Sequence, residues 1–195
     1  FVASEKAHAE LDKNIAPGFA EGRWALVDAF RPQIIAAARE RIAVRDLETS
    51  DYAGVLATVV LLTKNRNALD VVSEFLAAGT SWIDASLACN ATDHASSNRP
   101  TAASGRMGML ATIIHDVIVS SVQLFLGDDA TLAEQLKPVD PTAALSVAAL
   151  DSGGAASQLV RDWLAASAHV IGDRGGGIAE MANSARELSD ALAMV

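Results

Sequence analysis

The run "MLATIIHDVIVSSVQLFL", Met109 to Leu126, constrains the fold more than any other stretch of this chain. It is long enough to cross a bilayer, yet His115 and Asp116 sit side by side near its centre. On a helix, Thr112, Ser120 and Gln123 fall within about 40° of Asp116, and His115 lies about 100° away, at the edge of that stripe. Most of the rest of the circumference is apolar. One narrow polar stripe on a greasy helix is the pattern of a helix surrounded by others. A bilayer is the worse environment, because an Asp near its centre costs about 2.5–3.5 kcal/mol on insertion scales, and His, Gln, Thr and Ser add to that. No cluster of Lys or Arg flanks the run, so no membrane span is expected.

The segments on either side also read as helices. Apolar residues make up 51% of the chain, many of them Ala, while aromatics are only 5%, which favours helices packed through small side chains over a β-sandwich. Ser4 caps an expected first helix that stops before Pro17-Gly18, and a second stretch runs from about Glu21 to Val44, broken or kinked at Pro32. Thr49 or Ser50 caps "DYAGVLATVVLLT". "NALDVVSEFLAA" is expected to close at Gly79, with "TSWIDASLACNA" starting afresh at Thr80 or Ser81. Asn90 to Ser104, "NATDHASSNRPTAAS", reads as a long polar loop. The central helix then covers about 105–126 and ends at Gly127. "ATLAEQLK", "PTAALSVAAL", "ASQLVRDWLAASAHVIG" and a final "IAEMANSARELSDALAMV" complete the series. The expectation is an all-α fold: residues 1–195 as a single helical domain, a bundle of eight to nine helices around the central apolar helix.

Net charge is −9, unevenly spread. Residues 1–66 balance, so the whole excess of acid lies in 67–195. An acidic body argues against broad nucleic-acid binding. The arginines concentrate in an N-terminal subregion, 23–66, at Arg31, Arg39, Arg41 and Arg45, followed by Lys64 and Arg66. Nucleic acid is therefore expected only at the Arg31–Arg66 end, if anywhere. The bland account is a solvated helix face paired with Glu40, Asp46 and Glu48.

Catalytic constellations are scarce. The single Cys89 allows no internal disulfide and reads as a small buried hydrophobe. His8, His94, His115 and His169 never stand three or four residues from one another, as helical metal ligands would, so neither a metal nor a cofactor is expected. Asp128-Asp129 lacks the second acidic pair that diphosphate chemistry needs. "DSGGAAS" and "GDRGGG" lack the lysine and the preceding strand of a phosphate loop, so they read as turns and helix ends.

The stretch "IIHDVIVSS" resembles the phosphoacceptor helix of histidine kinases and histidine phosphotransfer proteins. That resemblance implies phosphate transfer through an exposed His115, assisted by the adjacent acid. It covers these nine residues alone, no nucleotide-binding half follows, and the flanking Arg or Lys is missing.

Two broader readings compete. In the first, the chain is a structural or interaction protein, such as a coat, scaffold or filament-like subunit, that packs against copies of itself or a protein partner. Its support is a mean hydropathy of +0.25 without a membrane span, which leaves greasy faces for association. In the second, it is a helical-bundle enzyme or small-molecule binder, with a pocket beneath the 90–104 loop. Thr112, Asp116, Ser120 and Gln123, with His115 and His94, would then supply the polar groups of a mostly apolar cavity. If His115 and Asp116 are instead structural, Asp116 accepts hydrogen bonds in the stripe and His115 packs at its edge.

Overall fold

The computed structural model describes residues 28–63, 67–93, 100–127, 129–152 and 154–175. Among them are seven helices and no strand. They are α1 (Arg31–Ile42), α2 (Thr49–Leu62), α3 (Ala68–Asp93), α4 (Pro100–Phe125), α5 (Thr131–Leu136), α6 (Pro141–Ser152) and α7 (Ala155–Gly175). The expected count of eight to nine is thus not met among the described residues. The first and last expected helices lie outside them, and two others are fused.

The fusion is at Gly79. Instead of ending a helix there, α3 runs on through it to Asp93. Glycine is required at this point by packing rather than by a turn. A Cβ on Gly79 would stand 2.9 Å from a methyl of Val117 on α4 and 3.1 Å from the Trp163 ring on α7. Removing the side chain lets three helices approach closely, and the surrounding helix supplies the continuity that glycine's own propensity does not.

The expected loop 90–104 is likewise shortened from both sides. Residues 90–93 continue α3, and α4 begins at Pro100 rather than near 105. Pro at a first helical position and the alanines that follow favour helix, which outweighs the local polarity. At the other end the reading holds: α4 stops at Phe125, and Gly127 follows at φ +91°, where a side chain would be strained. Gly154, at φ +64°, separates α6 from α7. The N-cap of α2 is Glu48, without a side-chain cap, rather than Thr49 or Ser50: both of these lie inside the first turn, where the Thr49 hydroxyl donates to Oε1 of Gln123 on α4, at 2.7 Å.

Buried residues of all seven helices fall in one hydrophobic cluster. Its centre is aromatic. The fully buried Phe75 on α3 meets Tyr52 of α2 edge-on at 5.3 Å, Phe125 of α4 at 5.9 Å and Trp82 at 6.2 Å. Such edge-to-face pairs add about 0.5–1.5 kcal/mol each beyond area burial.

α4 contributes Leu110, Ile113, Ile114, Val117, Ile118, Leu124 and Phe125 to the core. It is not surrounded, however: Ala111, Thr112, His115, Val119 and Gln123 are exposed. The central helix of the sequence reading is therefore one-sided, with β-branched side chains on parts of its outer face. Its segment Gly108–Phe125 is the one described stretch long and apolar enough to cross a membrane, and 44% of that window is buried inside the protein.

Candidate functional site

The cleft that gathers the sequence candidates is formed where the end of α1 turns into α2. α1 stops at Ile42 without glycine, the Ala43 and Val44 N–H groups donate back to Arg39 O and Arg41 O, and the carbonyls of Ala43 and Val44 themselves need donors. Two aromatic side chains supply them: Trp82 Nε1 of α3 donates to Ala43 O at 2.7 Å, and the Tyr52 hydroxyl of α2 donates to Val44 O at 2.9 Å. The chain then passes through Asp46 in the left-handed region, φ +71°, a conformation that Asp tolerates better than most residues. That turn sets the Arg45 side chain toward α4 and leaves the Asp46 carboxylate 80% exposed.

Facing this turn is the polar stripe of α4. Arg45 Nη2 lies 3.5 Å from Asp116 Oδ2, and Arg45 Nε lies 3.4 Å from Asp46 Oδ1. Neither contact has hydrogen-bond geometry, and Nε is buried with no hydrogen-bond partner. His115 Nδ1 stands 3.5 Å from Asp116 Oδ1. The groups enclose a cavity of about 190 Å³, with Ser120 on the α4 wall and with Leu47, Val119 and the Tyr52 and Trp82 rings as its apolar lining. Burial pushes the Tyr52 phenol above its ordinary 10.0, and the negative charges of Asp46 and Asp116 add to that against the Leu47 backbone and Arg45.

Of the stripe expected from sequence, the structure brings His115, Asp116 and Ser120 to this cavity. Thr112 is exposed, and its hydroxyl donates to Gly108 O one turn back. Gln123 is exposed too, held by Thr49. His94 lies outside the described residues. His115 does not pack at the edge of an apolar arc: its side chain is 66% exposed. The stripe faces solvent and the α1–α2 turn, so a histidine at its boundary projects outward. The cavity is also displaced from the 90–104 segment, since Trp82 precedes the end of α3 by about 16 Å of helix.

Sequence reasoning missed Trp82, Tyr52 and Leu47 as lining residues. Nothing local signals them, because each sits at an ordinary core spacing of its own helix or turn.

The arginines do not form one basic face. Arg31 pairs with Asp28 at 2.8 Å and donates to Leu62 O at 3.1 Å. Arg39 reaches Glu74 of α3 at 2.8 Å. Arg45 belongs to the cleft, and Arg41 is exposed. Lys64 and Arg66 fall outside the described residues. The expected local partners Glu40 and Glu48 are not used in these pairs. The carboxylates come from Asp28, from Asp46 and, across the fold, from Glu74 and Asp116. Among the described residues, no three of His, Cys, Asp or Glu gather as a metal-binding group. Compared with known protein families, curated proteins and solved structures, the chain matches none of them.

Proposed function

We propose that this chain is a helical interaction subunit that associates with a second copy of itself through the outer face of α6. One observation carries this reading. From Pro141 to Leu150, α6 contains no charged residue and is mostly apolar, its polar side chains being the exposed hydroxyls of Thr142 and of Ser146, which donates to Thr142 O. A helix of that kind is stable when covered all round. Ala144, Val147 and Leu150 do enter the core, but Pro141, Leu145, Ala148 and Ala149 line the opposite face, with Leu145 71% exposed.

A second copy suits this face. The chain is strongly acidic, so two copies repel one another over most of their surface. The α6 face brings no like charges together. Its small side chains let helices approach closely, and the same patch on both copies forms a self-complementary two-fold contact.

Mass by light scattering across a dilution series tests the proposal. The expected result is a dimer or larger assembly that Leu145→Glu dissociates without loss of helicity. A monomer at every concentration overturns it.

A second reading, a small-molecule binder or helical-bundle enzyme, is favoured by the cavity beside His115, Asp116 and Ser120. Phosphate transfer through His115 has in its favour the exposure of that ring. The basic side chain absent from the flanking sequence arrives as Arg45, although Arg45 stands by Asp116. Loss of phosphate uptake in His115→Gln would be its signature.

A further inference from the structure

We infer that the cleft between the α1–α2 turn and α4 is a receptor for one basic side chain, arginine above all, of a partner polypeptide. The inference stands apart from the α6 face and does not depend on it.

Size comes first. About 190 Å³ is small beside the roughly 300–1,000 Å³ of pockets that hold drug-sized ligands and cofactors, and it suits a single long side chain. Charge comes second. Asp46 and Asp116 place two carboxylates at the cavity, and Arg45 supplies one positive charge between them. With His115 neutral the balance is negative, so an anion is repelled and a cation is drawn in. The acidic body of the chain acts in the same direction over longer range.

The quality of the existing pairing is the third argument. Arg45 meets its two carboxylates only at 3.4 and 3.5 Å and makes no hydrogen bond among the described residues. Its fork leaves carboxylate lone pairs open to a better-placed donor set. A guanidinium offers five donors in a plane that matches a carboxylate. Shape is the fourth. The Trp82 and Tyr52 rings stand with centroids 6.0 Å apart at a 45° tilt, and Leu47 and Val119 complete the apolar wall. The aliphatic stem of an arginine covers such a wall while its head stacks on the indole.

Titration of the full ¹⁵N-labelled chain with acetyl-Gly-Arg-Gly-amide, beside acetyl-Gly-Glu-Gly-amide, tests this by the NMR signal of the Trp82 indole N–H. The arginine peptide is expected to shift that signal saturably and the glutamate peptide is not. Asp116→Asn and Asp46→Asn should each weaken binding by up to about fivefold, as for one partly exposed charge pair. Asp46 is too exposed for its loss to endanger the fold. Arg45→Gln should strengthen binding, because it frees both carboxylates. Absence of a saturable shift with the arginine peptide overturns the inference. So does binding of the glutamate peptide that Arg45→Gln abolishes, which would make the cleft an anion site.

Discussion

The cleft at the α1–α2 turn and the outer face of α6 are both open to solvent, but the chain treats them differently. Around the cleft, polar groups meet in specific pairs: Trp82 with Ala43, Tyr52 with Val44 and Arg45 with Asp116. These contacts fix an orientation, and beneath them lies the aromatic cluster around Phe75. On α6 the exposed residues Leu145, Ala148 and Ala149 carry apolar side chains, and the polar side chains exposed beside them are the Thr142 and Ser146 hydroxyls. The difference separates the two proposals made for this bundle. Charged and aromatic groups held from three elements would select a particular ligand group, whereas a mostly apolar face would gain stability from any complementary apolar surface.

The comparison breaks most readily at Phe75. It is fully buried, so Phe75→Ala should cost about 3–5 kcal/mol and loosen both cleft aromatics with it, read by chemical denaturation and by Trp82 shifts. Gly79→Ala comes next. A new Cβ gains about 1 kcal/mol of helix propensity but collides with Val117 and Trp163, and overpacking of about 1–3 kcal/mol should leave the variant less stable in a thermal melt. A Gly79→Ala chain more stable than the parent would show that the α3–α4–α7 contact can relax.

The carboxylate of Asp116 is about half exposed, which lowers the effect of losing it. Asp116→Ala should change stability by no more than about 1 kcal/mol, well below the loss expected of a buried acceptor, while weakening arginine-peptide binding by up to about fivefold. His115→Gln should be near neutral in the same melts.

Tyr52 sharpens the contrast through pH. Its folded phenol holds its proton more tightly than the unfolded one, whose value is near 10. Stability is therefore intact below about pH 10 and falls as pH rises from there through the higher folded value. Tyr52→Phe should flatten that alkaline decline, at a cost near 1 kcal/mol for the lost bond to Val44 O. The smallest effect on folding is expected on α6: at a dilution where the parent is monomeric, Leu145→Glu should move stability by less than about 0.5 kcal/mol, while at higher concentration it changes the mass in solution. A large loss of stability there would mean that the α6 face is structural within one chain.

Sequence alone determined the all-helical class, the narrow polar stripe on α4 and the breaks at Gly127 and Gly154. These follow from local rules: periodicity places side chains on faces, and only glycine takes a left-handed turn without strain. The stripe residues His115, Asp116 and Ser120 were legible for the same reason. Tertiary structure decided the rest. Whether Gly79 ends a helix depends on Val117 and Trp163, which stand tens of residues away. Whether His115 is buried depends on which side of α4 its neighbours cover. Arg45 looked like part of a local basic run until the left-handed turn at Asp46 carried it to Asp116, 71 positions along the chain. Contacts of that separation leave no mark in a single helix's pattern, because periodicity records that a face is buried or exposed but not what lies against it.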